Sequence, residues 1–142
     1  MDENDTMTPQ VYRDQACAVL IVEDSTNSAT TLEIALMDIP GVSILMAGSG
    51  SEALRIMQRP DSQVRAVVTD LNMPRMDGFE LIRRLREDGR TAAVPIIVVS
   101  GDTDPDTPDR VAQMKVDAFF AKPFSPAQVR RKLEQLLDEK IP

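Results

Sequence analysis

Five short runs of β-favouring residues, each followed by a stretch with helical spacing, constrain this chain more than any other feature. The runs are Ala18–Val22, Val42–Ala47, Ala66–Thr69, Ile96–Val99 and Ala118–Ala121. Most are unbroken apolar stretches rather than alternating ones, the pattern of strands covered on both faces. Helical spacing follows over about 26–38 (Leu32, Ala35, Leu36, Ile39), 51–58 (Ala53, Leu54, Met57), 77–88 (Phe79, Ile82, Leu85) and 126–139 (Val129, Leu133, Leu136, Leu137). A shorter fourth helix, about 108–115, is predicted to open with Thr107 as its cap and Pro108 at its first position. Five β/α units joined by right-handed crossovers predict a parallel sheet with helices on both faces. At 142 residues the chain suits one domain, expected over 16–142 behind an acidic, flexible tail over 1–15.

The residue types narrow the chemistry. There is no histidine, so a Ser-His-Asp or Cys-His nucleophile, a His-ligated metal and a phosphate-carrying histidine are all excluded. The single cysteine, Cys17, rules out an intramolecular disulfide and a thiolate cluster, and reads as a small apolar residue entering the first strand. The net charge of −7 argues against a direct nucleic-acid surface. Part of that charge lies in the tail, where Asp2, Glu3, Asp5 and Asp14 face Arg13 alone. The tail lacks the basic start and apolar centre of a signal peptide. The longest clean apolar run, Ala16–Val22, is far below the roughly 20 residues of a membrane helix. A soluble, cytoplasmic protein without membrane insertion is the expectation.

What stands at the strand ends is informative. The first strand ends in Glu23-Asp24, the third in Asp70, the fourth in Ser100 and the fifth in Lys122-Pro123. In an open α/β sheet the ligand crevice lies outside those ends, at the point where the strand order reverses. Residues far apart in the chain therefore converge. Carboxylates so gathered repel unless a cation neutralises them. Oxygen donors without imidazole or thiolate suit a hard divalent ion such as Mg²⁺. A lysine adds fixed positive charge and a serine a hydrogen-bond donor, which together describe a pocket for a transferred phosphoryl group. One carboxylate can then act as nucleophile and form an acyl phosphate.

Val19-Leu-Ile-Val-Glu23-Asp24-Ser25, Thr69-Asp70-Leu71-Asn72-Met73-Pro74-Arg75-Met76-Asp77-Gly78, Val98-Val99-Ser100-Gly101 and Phe119-Phe120-Ala121-Lys122-Pro123-Phe124 together resemble a response-regulator receiver domain of two-component signalling. The resemblance spans about 16–139. It implies a flavodoxin-like, doubly wound (β/α)5 fold with a five-stranded parallel sheet in the order 2-1-3-4-5. It implies Asp70 as phosphoacceptor. It further implies Mg²⁺ (or Mn²⁺) held by Glu23, Asp24, Asp70 and the backbone carbonyl of Asn72. Lys122 would bind the phosphoryl oxygens, with a cis Lys122–Pro123 bond. Ser100 and Phe119 would act as switch residues, and Asn72 and Asp102 would tune dephosphorylation. The implied donor is a sensor histidine kinase or a histidine phosphotransfer protein. The implied output is a downstream protein partner, met through the fourth helix, fifth strand and fifth helix, or a phosphorylation-linked dimer. Such a chain is a phosphoacceptor regulator that catalyses only its own phosphorylation and dephosphorylation. No output domain is expected after Pro142, and a stand-alone regulator or a module of a larger protein both stay open.

Two other classes compete. Gly48-Ser49-Gly50-Ser51-Glu52-Ala53 fits G-x-G-x-x-A after a strand and before a helix, with Asp70 some 20 residues beyond Gly50, which is a dinucleotide fingerprint on paper. It falls in the second β/α unit, however, and the chain lacks the second half of that fold. An aspartyl-nucleophile phosphatase would resemble D-x-D, whereas the second position here is Asn72. The fourth unit departs from the receiver pattern. Two prolines and several acids crowd 101–108, and Lys115 stands where receivers usually place a helix-ending glycine.

Overall fold

In a computed structural model of the chain, residues 17–140 are described; the expected tail over 1–15 lies outside them, as do Ala16, Ile141 and Pro142. The elements run β1 (Cys17–Val22), α1 (Thr26–Leu36), β2 (Val42–Ala47), α2 (Gly50–Met57), β3 (Val64–Thr69), α3 (Gly78–Glu87), β4 (Ile96–Ser100), α4 (Thr107–Gln113), β5 (Ala118–Ala121) and α5 (Pro126–Lys140). The strands form one parallel sheet in the order β2-β1-β3-β4-β5, as expected.

Alternate strand residues feed two cores, because neighbouring side chains point to opposite faces. Leu20, Val22, Val67, Ile96 and Val98 join residues of α2, α3 and α4 on one face. Val19, Ile21, Val68, Ile97 and Val99 join residues of α1 and α5 on the other. Every residue of β1 and β4 is buried, which is why these runs read as continuously apolar. β2 and β5 differ: they are the edge strands, and both are partly exposed. An apolar run reports β structure without reporting whether a neighbour covers it.

Local chemistry fixes the helix starts. Ser25, Ser49 and Asp77 each accept a backbone N–H through the side chain at the head of α1, α2 and α3. At the head of α5, Ser125 Oγ accepts from the Gln128 N–H at 3.3 Å. α4 differs from its expected form. Thr107 is its first helical residue rather than its cap, and Asp106 precedes it in helical conformation without a side-chain cap. The physical cause is a run of aspartate turns. Asp102 Oδ1 accepts the Asp104 N–H at 2.8 Å and Asp104 Oδ1 accepts the Asp106 N–H at 2.9 Å, so the chain curls into the helix early.

The short α4 agrees with the crowded sequence before it. After it, Lys115 adopts φ 62°, the left-handed value that a glycine would adopt more readily. A clamp accounts for the lysine there. Arg86, on α3, donates to the carbonyls of Ala92 at 2.9 Å, Val94 at 2.8 Å and Lys115 at 2.8 Å. Three charge-assisted bonds from one planar guanidinium hold the turn between α4 and β5 in place.

Candidate functional site

Backbone hydrogen bonds align the carboxyl ends of the strands. The Glu23 N–H donates to Ala47 O at 3.0 Å, Asp70 N–H to Val22 O at 3.0 Å and Lys122 N–H to Ser100 O at 2.8 Å. Parallel register thus carries Glu23, Asp24, Asp70, Ser100 and Lys122 to one end of the sheet, where the order turns from β1 to β2 on one side and β3 on the other.

Three of the predicted acids meet. Glu23, Asp24 and Asp70 each offer a carboxylate oxygen within 4.8 Å of the others. Glu23 and Asp70 are buried and Asp24 is exposed, so the cluster opens to solvent on one side. The two oxygens of Asp70 have different surroundings. Oδ1 accepts the Leu71 N–H at 2.7 Å and the Asn72 N–H at 3.4 Å, while Oδ2 faces Lys122 Nζ at 3.4 Å. Glu23 Oε2 accepts the Ser25 N–H at 3.2 Å, and its Oε1 receives Lys122 Nζ at 3.0 Å. Lys122 is therefore held inward between two carboxylates rather than solvated. Its peptide bond to Pro123 is cis, as the resemblance implied.

The remaining predicted residues surround this cluster. Ser100 is buried, and its Oγ accepts the Asp102 N–H at 3.0 Å. Asn72 is exposed and Asp102 half-buried, each two residues beyond a strand-end residue. Phe119 is half-buried on β5 and packs against the core beneath α3 and α4. A methyl group at Gly101 would make an ordinary 3.8 Å contact with Lys122, so that glycine is not sterically required.

Sequence reasoning overlooked two contributors. Ser28, on α1, lies 3.5 Å from Lys122 Nζ, a contact no sequence signal announces. Gly78 was legible as part of a motif but not as a packing site. A Cβ there would collide with Asp70 O and stand 2.7 Å from Leu71 Cα, so only glycine lets α3 start against the Asp70 backbone.

The electrostatics follow from burial and crowding. Burial pushes the Glu23 carboxyl up from its usual 4.5; the Lys122 hydrogen bond offsets part of this and the Asp70 charge adds to it. Such a carboxylate at neutral pH is short of positive charge, which a hard cation supplies. For Lys122, burial pulls downward, but the Glu23 hydrogen bond and the Asp70 charge outweigh it and the value stands above the ordinary 10.5. The higher value belongs to the folded state, so this contribution to stability is complete below about 10.5 and is lost as pH rises through the folded value. Urea midpoints measured upward from neutral pH are expected to fall in this alkaline range, and Lys122→Met to flatten that fall. Equal slopes in the two proteins would contradict it.

The competing glycine motif is accounted for by capping. Ser49 Oγ accepts the Glu52 N–H at 3.1 Å while Glu52 Oε1 accepts the Gly48 N–H at 2.8 Å, a reciprocal capping box at the head of α2. The Gly48 N–H, a donor that a pyrophosphate cradle could use, is thus already engaged. The motif also follows the edge strand β2 rather than a central strand.

Among the described residues, no helix is long and apolar enough to cross a membrane. Residues 19–134 match the family model of the response regulator receiver domain. Among curated proteins, a chemotaxis protein CheY homolog of Campylobacter jejuni is 30% identical over 121 residues, covering 84% of this chain and 91% of the relative. Chemotaxis protein CheY1 of Helicobacter pylori is 29% identical over 121 residues, covering 84% of this chain and 95% of its own length. Among solved structures, a response regulator receiver protein from Pseudomonas putida superposes with a TM-score of 0.71 at 32% identity, covering 87% and 96% of the two chains. The receiver domain of a sensor histidine kinase from Pseudomonas aeruginosa, solved with a magnesium ion coordinated in its active site cleft, gives 0.74 at 26% identity, covering 85% and 97%.

Proposed function

This chain belongs to the response-regulator receiver family, and from that membership we propose that it takes a phosphoryl group onto Asp70 and passes the change to the surface of α4, β5 and α5. The observation that carries the reading is the asymmetry of Asp70. Its Oδ1 is engaged by two backbone N–H groups, leaving Oδ2 directed at an ammonium. In the proposed step an Asp70 oxygen attacks the phosphorus of a phosphohistidine. A P–O bond forms, the P–N bond breaks, and the electron pair leaves on the histidine nitrogen. This chain has no histidine, so the donor is another protein, a sensor histidine kinase or a histidine phosphotransfer protein.

The donor set fits a hard divalent ion: three carboxylates, with neither imidazole nor thiolate among them. Glu23, Asp24, Asp70 and the Asn72 carbonyl would hold Mg²⁺, with Mn²⁺ a possible substitute. Such an ion, when bound, neutralises charge on the transferring phosphoryl oxygens. Lys122, held beside Glu23 and Asp70, supplies a second positive charge. The Ser100 hydroxyl turns to donate its O–H to a phosphoryl oxygen, and Phe119 turns inward behind it, a local charge event biasing a two-state element. Asn72 and Asp102 border the acyl phosphate and set its lifetime.

In this reading residues 16–142 are the receiver and 1–15 a tail. The protein is a cytoplasmic phosphoacceptor regulator rather than an enzyme with a separate substrate. Its output passes to a protein partner, or to a phosphorylation-linked dimer, through α4, β5 and α5. Intact mass after incubation with acetyl phosphate and Mg²⁺ is expected to rise by one phosphoryl group, and chelation to prevent the rise. No adduct with Mg²⁺ present, or an adduct mapping away from Asp70, would overturn the reading.

A further inference from the structure

β2 is the outermost strand at one end of the sheet, so among the described residues no strand pairs with its outer edge. Soluble proteins usually blunt such an edge with charge, proline, a bulge or brevity. β5, at the other end, follows that rule: it is four residues long and is followed at once by Lys122-Pro123. β2 does not. It is six residues, Val-Ser-Ile-Leu-Met-Ala, in unbroken register with β1. The uncharged stretch extends from Ile39 to Ser51, in a chain of which 27% is charged. Leu45 is 41% exposed and Met46 39%, on opposite faces of the strand. Ile34 at 60% is exposed on α1, which packs beside β2, and Met37 at 59% is exposed just after that helix. Among the described residues, every exposed large hydrophobic side chain thus lies at this end of the molecule.

We propose that β2 pairs with β2 of a second copy of this chain, antiparallel about a twofold axis, joining two five-stranded sheets into one. The pairing is independent of phosphorylation and does not rest on the function assigned to Asp70. An open strand edge is complementary to another strand edge, and a twofold axis closes the contact on itself. Charge selects this edge. Two copies at −7 each repel, but the stretch 39–51 brings no charge against itself. A basic partner would instead be drawn to acidic surfaces and gain nothing from an uncharged strand. Pairing would cover Leu45 and Met46 of both copies.

Sedimentation equilibrium of the full, unphosphorylated chain tests this. A monomer–dimer equilibrium is expected. Leu45→Lys and Met46→Lys, both at solvent-exposed positions, each set like charges across the twofold axis. Each is expected to weaken the dimer roughly 100-fold or more while uptake from acetyl phosphate stays at the wild-type rate. Amide hydrogen exchange over Ile44–Met46 should slow with protein concentration in the wild type and not in the variants. A monomer at every concentration would overturn the proposal; if its β2 amides were nonetheless protected, another stretch of the same chain would be covering the edge. A dimer unmoved by both substitutions would overturn it as well, by putting the contact on another face.

Discussion

Asp70→Asn is expected to abolish phosphoryl uptake while leaving the fold intact. An amide keeps the shape of the carboxylate, and its carbonyl oxygen can still accept the Leu71 N–H that Oδ1 now accepts at 2.7 Å. It lacks the charge and the nucleophilic oxygen that an acyl phosphate needs. Stability should hold or rise slightly. Asp70 lies close to the buried Glu23 carboxylate and contributes to holding that carboxyl above its usual value, so removing its charge relieves a repulsion. The Asp70–Lys122 pairing at 3.4 Å is lost, but Lys122 keeps Glu23 at 3.0 Å. Intact mass after acetyl phosphate treatment should show no adduct, with a urea midpoint at or above the wild-type value. Phosphoryl uptake at the wild-type rate would move the acceptor to another residue, such as Asp24 or Ser100. A collapsed midpoint would mean that the charge of Asp70 is structural.

How far the sequence reached differed from element to element. β1 and β4 were legible because buried central strands are apolar throughout, and their ends delivered Glu23, Asp24 and Ser100 to the right side of the sheet. The acidic cluster followed from the topology, since parallel strands bring their carboxyl ends together whatever their separation along the chain. The edge position of β2 followed from the strand order that the resemblance implied and not from its own residues, because its Ile-Leu-Met run by itself looks like a core strand. Thr107 misled for a different reason. Threonine before proline is a strong capping signal, and only the successive aspartate turns over 102–106 explain why the helix begins a residue sooner. Lys115 looked like a break in the turn after α4. The turn survives because Arg86, 29 residues away in sequence, holds the Lys115 carbonyl. Ser28 beside Lys122 is likewise a long-range contact, 94 residues apart, without local signature.

Gly78→Ala is expected to have the opposite effect on stability to Asp70→Asn, disturbing the backbone of the same aspartate. Gly78 opens α3, donates its N–H to Leu71 O at 2.8 Å, and so lies directly against the loop that leaves β3. An added Cβ would collide with Asp70 O and meet Leu71 Cα at 2.7 Å and Asp70 C at 3.1 Å. All three are main-chain atoms, so no side-chain rotation relieves the overlap. Either α3 moves outward, opening the core around Leu81, Ile82 and Leu85, or the loop moves and carries Asp70 with it. Overpacking with side-chain relief costs about 1–3 kcal/mol, and contact with main chain on both sides puts this case at or above that range. The better helix propensity of alanine returns at most about 1 kcal/mol. Against a total stability of about 5–15 kcal/mol for a domain, the net loss is large. Urea unfolding should show a midpoint well below wild type. Any folded fraction should also accept phosphate slowly, because the Leu71 and Asn72 N–H groups that orient Asp70 Oδ1 belong to the displaced loop. An unchanged midpoint would show that α3 can shift from the Asp70 backbone without loss, and the close approach would then not be what requires a glycine at this position.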